Sequence, residues 1–246
     1  MRIQIRPYTF ENDGLRLDGT IFKPPDEKDK HPAILFVHGW TSERKRSFQY
    51  AKSLADLGYI CLLFDMRGHG TSEGDINKAT TKESLDDVLA AYDYLLQVEG
   101  VDKENISAVG SSFGGYLVTL LTTKRNVKRL VLRVPAEYPN SDFKKSKMQT
   151  SGGEDPAVYA WRNQHRKSRE TFALEAVSNF KSKILIIESE KDDVIPHQVI
   201  ENYINAIKDK SKLTHIVMKN AHHSIKEGPF RDEVERILVK WFGNRF

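Results

Sequence analysis

Apolar runs recur along this chain, and between them lie stretches whose apolar positions fall three and four residues apart. Residues 3–10 and 15–22 alternate apolar and polar side chains, as half-buried strands do, and Glu11-Asn12-Asp13-Gly14 between them reads as a hairpin turn. Residues 33–37 form a short continuous apolar run, the pattern of a strand buried on both faces of a parallel sheet. Residues 59–64, 106–109, 129–134, 183–188 and 213–218 read as further strands. The helical spacing falls over 47–57, where Phe48, Ala51, Leu54, Ala55 and Leu57 share a face and Gly58 supplies a stop, and again over 81–98, 113–123, 170–180, 197–207 and 229–242. Strand and helix alternate, which predicts an α/β fold with a mainly parallel sheet and right-handed crossovers.

Two segments stand outside this rhythm. Residues 23–30 are polar and proline-bearing, so they read as an exposed loop. Residues 135–168 are too long for a simple connection and predict an insertion, a small lid over the site. The lid region is basic, through Lys144, Lys145, Lys147, Arg162, His165, Arg166, Lys167 and, just beyond it, Arg169. These charges are either solvated surface or an attraction for an anionic substrate. Its aromatics Tyr138, Phe143, Tyr159 and Trp161 either line an acyl pocket or pack within the lid.

Composition narrows the reading. A chain of 246 residues suits one α/β domain spanning 1–246, and 39% hydrophobic with 29% charged residues suits a soluble globular protein. A net charge of +4, with both signs mixed along the chain, argues against a nucleic-acid partner. The single cysteine, Cys61, sits in an apolar run and reads as a core residue. No apolar run reaches membrane-spanning length and the first ten residues lack an apolar signal core, so the expected compartment is the cytoplasm, with no membrane partner. Oligomeric state is not legible.

The stretch that carries chemistry is Gly110-Ser111-Ser112-Phe113-Gly114, set between a strand and a helix. A G-x-S-x-G in that context is the signature of a nucleophile elbow. The nucleophile must stand at the tip of a sharp turn, and glycines on either side remove side chains where strand and helix would collide. The helix N-terminus then presents its positive dipole end where an oxyanion would form. Ser112 is the candidate nucleophile. A serine hydroxyl needs a base, and the base needs an orienting partner. Acids follow the strand at 183–188, as Asp192 and Asp193, and histidines follow the strand at 213–218, as His222 and His223. Each candidate lies just past the end of a strand, and the C-terminal edge of a parallel sheet is where sites form. His38-Gly39-Trp40 ends the strand at 33–37 and reads either as a donor loop for an oxyanion or as a plain turn in which His38 packs locally. The glycine-rich loop 65–74 has no phosphate-binding spacing, and His69 within it reads as structural.

Over nearly its whole length the chain resembles the α/β-hydrolase superfamily, on Val37-His38-Gly39, Asp65-Met66-Arg67-Gly68-His69-Gly70-Thr71-Ser72, Gly110-Ser111-Ser112-Phe113-Gly114, Asp192-Asp193-Val194-Ile195-Pro196 and Ala221-His222-His223-Ser224. Within it the chain is similar to small serine esterases, of the feruloyl or cinnamoyl esterase and serine-aminopeptidase-like groups. The resemblance implies a mostly parallel eight-stranded sheet flanked by helices. It also implies the order Ser, Asp, His for the triad. The acid stands four residues before a proline in that pattern, which selects Asp192 over Asp193. The family's glycine-bearing loop before its histidine selects His223 over His222, which stands where glycine is common and is then a supporting or substrate-facing residue. The implied oxyanion donors are the backbone N–H groups of Phe113 and Trp40. The implied activity is hydrolysis of a small-molecule ester of a small acyl or aryl-acyl group, with no cofactor and no metal. A serine peptidase or amidase, and a non-catalytic binding protein on the same fold, are the other readings.

Overall fold

The computed structural model describes residues 2–24, 30–146, 148–153, 156–225 and 228–243. Most of the loop expected over 23–30, and Lys147 of the lid, lie outside the described residues. β1 (Gln4–Asn12) and β2 (Leu15–Lys23) pair antiparallel. Their turn is tighter than the sequence predicts. It consists of Asp13-Gly14 alone, with φ of 51° and 74°, the two left-handed residues whose twist matches that of the flanking strands. β3 (His31–Val37), β4 (Ile60–Phe64), β5 (Val101–Ser111), β6 (Arg129–Arg133), β7 (Lys183–Lys191) and β8 (Leu213–His222) complete one eight-stranded sheet, ordered β1-β2-β4-β3-β5-β6-β7-β8. β2 opposes both of its neighbours and every pairing from β4 to β8 is parallel. This is the mostly parallel α/β-hydrolase sheet that the resemblance implies.

Helices cover both faces. α1 (Phe48–Asp56) and α7 (Pro229–Gly243) lie on one face. α2 (Thr81–Leu95), α3 (Phe113–Leu121), α5 (Phe172–Asn179) and α6 (His197–Ala206) lie on the other, and α4 (Pro156–Arg162) belongs to the lid segment. The central strands serve two cores at once. In β3, Ala33, Leu35 and Val37 join the α2/α3 side, while Ile34 and Phe36 join the α1/α7 side. Cys61 is fully buried on that second side. A strand with helices on both faces has no solvent position for a polar side chain, hence the unbroken apolar runs.

Strand ends depart from the apolar runs. β5 begins at Val101, five residues before Ile106, and β8 runs on to His222, paired with Lys191 of β7. Backbone pairing holds these polar ends, and side-chain polarity conceals them. α2 stops at Leu95 rather than at 98, ahead of the positive-φ Gly100 (85°).

The loop 65–74 is a structural strap. Arg67 donates from Nε and Nη2 to Asp87 of α2, at 2.7–3.1 Å, and from Nη2 to Asp13 at 2.9 Å. Asp65 accepts from Arg44 and from the Thr71 backbone N–H. The Asp87 side chain has no solvent exposure. Arg67→Met would strand that carboxylate, so the variant should lose about 3–5 kcal/mol of stability. A fall in the urea midpoint at an unchanged m value checks this.

Candidate active site

At the junction of β5 and α3, Ser112 has φ 53° and ψ −116°, a strained conformation for a residue with a side chain. Its neighbours hold it there: its N–H donates to the Arg133 carbonyl at 2.9 Å, and its own carbonyl accepts from Tyr116 N–H at 3.1 Å and Ala136 N–H at 3.0 Å. A Cβ on Gly110 would lie 2.3 Å from the Gly114 carbonyl oxygen, and one on Gly114 would lie 2.2 Å from that of Val37. The two flanking glycines therefore permit the close approach of strand and helix that pushes the Ser112 side chain out at the turn.

The other two candidates converge on it. His223 Nε2 lies 3.1 Å from Ser112 Oγ, and His223 Nδ1 lies 2.8 Å from Asp192 Oδ2. Asp192 Oδ1 accepts from the backbone N–H of Val194 at 2.9 Å and of Ile195 at 2.7 Å. An ionised carboxylate only accepts, so the proton belongs on Nδ1 and the Nε2 lone pair faces the serine hydroxyl. The Asp192 side chain is 4% exposed and that of His223 is 18% exposed. Asp193 and His222 are both exposed, and neither takes part in this chain of hydrogen bonds.

The loop after β3 passes against the nucleophile. A Cβ on Gly39 would sit 3.4 Å from Ser112 Cβ, which places Trp40 beside Ser112 on one side and Phe113 next to it in sequence. The His38 ring braces this loop, donating from Nδ1 to the Gly39 carbonyl at 2.8 Å and accepting at Nε2 from Met66 N–H at 3.1 Å. Burial, with His69 nearby, pushes its pKa down to about 3, so it stays neutral. His69 is buried too, bonded at 2.9 Å to the Arg67 carbonyl and packed between the rings of His38 and Trp40. Both histidines act on loop shape.

A cavity of about 440 Å³ opens beside Ser112, walled by Trp40, Tyr50, Arg133, Ile225 and Leu238 among others. It lies toward α1 and α7, and none of the described residues of 135–168 lines it. The lid aromatics therefore do not form this pocket. Tyr138 packs edge-on against Phe113 and Tyr116, and Phe143 against Phe172. Trp161 lies under the Arg166 guanidinium at 3.5 Å, and Tyr159 is exposed. The basic residues divide. Arg162 and Arg166 are buried, Arg162 over the Tyr138 ring, while Lys144, Lys145, His165 and Arg169 face solvent. Burial beside aromatic rings accounts for the first pair as packing. Among the described residues no group of three or more His, Cys, Asp or Glu side chains could hold a metal ion.

Arg133 and Tyr50 are among the lining residues that sequence reading missed. Arg133 is the last residue of β6, in register with Ser111. Its Nη1 donates to Ser111 Oγ at 3.0 Å and its Nη2 to the His223 carbonyl at 2.7 Å. The available signal was a cation at the site-forming end of an otherwise apolar strand.

The family model described as the prolyl oligopeptidase family matches residues 45–246. The chain belongs to this family. A Mycoplasma genitalium protein named putative esterase/lipase 3 is 24% identical, over 82% of this chain and 84% of that protein. A Bacillus subtilis protein named uncharacterized peptidase YuxL is also 24% identical, over 94% of this chain but only 37% of that protein. The solved structure of Est1E from Butyrivibrio proteoclasticus with ferulic acid bound superposes with a TM-score of 0.74 at 19% identity, covering 95% of this chain and 97% of that one. At that identity the match speaks for fold. The protein is thus an α/β-hydrolase, and its relatives carry both esterase and peptidase names.

Proposed function

We propose that this protein is a serine esterase that cleaves esters of small acyl or aryl-acyl groups through an acyl-enzyme. The observation that carries the reading is the continuous hydrogen-bond chain Ser112–His223–Asp192 at a strained elbow. Ser112 Oγ attacks the ester carbonyl carbon while His223 Nε2 takes the hydroxyl proton. Asp192 holds the ring in that tautomer and stabilises its charged form. The backbone N–H groups of Trp40 and Phe113 receive the oxyanion, each contributing roughly 3 kcal/mol. The carbon–oxygen bond of the ester breaks, and the leaving alcohol takes the proton back from His223. Water then repeats the sequence on the acyl-serine and releases the acid. Neither a cofactor nor a metal enters these steps.

A serine peptidase or amidase would use the same groups. Two features favour the ester. One relative with an esterase name is matched over 84% of its length, whereas the chain spans 37% of one relative with a peptidase name. The cavity beside Ser112 is also compact, suited to a small acyl group.

Initial rates on p-nitrophenyl esters from acetate to long chains, on methyl ferulate and on matching p-nitroanilides test the reading. Turnover of the short or aryl-acyl esters, with the anilides left intact, is the expected result. Comparable anilide turnover would make the protein an amidase or peptidase, and no turnover of any of them would make it a binding protein.

A further inference from the structure

The walls of the cavity beside Ser112 carry an unbalanced charge. Its lining includes Arg46 and Arg133 and no aspartate or glutamate among the described residues. Arg46 is exposed, at the solvent side, whereas Arg133 lies deeper between β5 and the His223 loop. Both of its side-chain hydrogen bonds go to neutral acceptors, a serine hydroxyl and a backbone carbonyl. Elsewhere in the chain Arg44, Arg67 and Arg125 each meet a carboxylate, on Asp65, Asp87 and Asp93. Arg133 has no such pair among the described residues. Asp192 attracts it from a distance, but the Asp192 oxygens are committed to His223, Val194 and Ile195.

A guanidinium has five N–H donors in a planar fork that matches a carboxylate. Taking such a charge out of water costs free energy, and burial indeed lowers the Arg133 pKa. An anion brought into the cavity would offset that cost. Tyr50 adds a neutral hydroxyl to the same wall, since burial raises its pKa.

We propose that the cavity takes an acyl group ending in a carboxylate, and that Arg133 receives that carboxylate. The proposal rests on Ser112 being the nucleophile. The place of the guanidinium sets the acyl length. Arg133 Nη1 bonds Ser111 Oγ at 3.0 Å, one residue before Ser112, and consecutive Cα atoms lie about 3.8 Å apart, so a short acyl chain spans from the nucleophile to the guanidinium. The substrates are therefore half-esters of short dicarboxylic acids, and hydrolysis consumes one water and yields the dicarboxylate and an alcohol. Arg133 is a specificity-determining residue in this scheme.

The test compares p-nitrophenyl hemiglutarate with p-nitrophenyl pentanoate, a neutral ester of similar length. Wild type should favour the hemiglutarate in kcat/KM by about tenfold to a hundredfold, the range of a charge-assisted hydrogen bond. Arg133→Met should collapse the ratio toward unity, and Arg133→Lys should keep part of it. The ratio is the readout because Arg133 also braces His223, so both rates can fall together. Free glutarate should compete with substrate in wild type and bind Ser112→Ala by calorimetry, measurements that need no folded Arg133 variant. Equal or better use of the pentanoate by wild type, or a preference that survives in Arg133→Met, would overturn the proposal and leave the esterase reading standing. If no ester is turned over, that reading fails, and glutarate binding still decides whether Arg133 receives a carboxylate: binding lost in Arg133→Met upholds that part, and no binding to wild type overturns it.

Discussion

Ser112→Ala is expected to lower kcat on every ester the protein hydrolyses by about six orders of magnitude, the full loss seen when a triad nucleophile is removed. The urea midpoint should stay close to that of wild type. Ser112 occupies a positive-φ conformation that alanine also has to adopt, so the strain is unchanged by the substitution. The three backbone hydrogen bonds that fix the turn, through Arg133, Tyr116 and Ala136, do not involve the side chain. What alanine cannot make is the 3.1 Å hydrogen bond between the serine hydroxyl and His223. Initial rates beside denaturant melts check both halves. A variant that keeps most of its ester turnover would remove Ser112 from the mechanism.

Asp192→Asn should cost about four orders of magnitude in kcat through the tautomer it imposes on His223. Asp192 Oδ1 is held by two backbone donors, Val194 and Ile195. In the variant that position must remain an oxygen, because two N–H groups already point at it. The amide NH2 is thereby turned toward His223 Nδ1, which then has to accept. The imidazole proton moves to Nε2 and points at Ser112, where it cannot take the hydroxyl proton. Asp193→Asn is the internal comparison. The His223 ring is bonded to Asp192 and Ser112 rather than to Asp193, so the Asp193 variant should retain near wild-type rates. If Asp193→Asn proves the more damaging of the two, the acid is misassigned.

Much of this arrangement is legible in the chain alone. Strands buried on both faces leave unbroken apolar runs, which is why 33–37 and 59–64 stand out and why the alternation with helices gives the sheet. The elbow is legible because a Cβ on Gly110 or Gly114 would fall 2.2–2.3 Å from a neighbouring carbonyl oxygen, so no residue with a side chain fits at either position. The polar ends of β5 and β8 are not, since backbone pairing with a neighbouring strand leaves no mark on side-chain pattern. The pocket wall is hidden for a related reason. Tyr50 and Leu238 come from α1 and α7, and periodicity reports that a helix face is buried without reporting that a space remains beneath it. For the aromatics of 135–168, composition leaves an acyl pocket and internal packing equally open. Tyr138, Phe143 and Trp161 have the composition of an aromatic acyl pocket, yet their rings pack on Phe113, Phe172 and Arg166.

The most direct test of Ser112 as an activated nucleophile is labelling with a fluorophosphonate, followed by peptide mass mapping, on wild type, Ser112→Ala and His223→Ala. Wild type should take up one adduct, on Ser112, and both variants should fail to label at comparable exposure. An adduct on another residue, or a wild-type protein that does not react, would contradict the assignment of Ser112 and His223 as nucleophile and base.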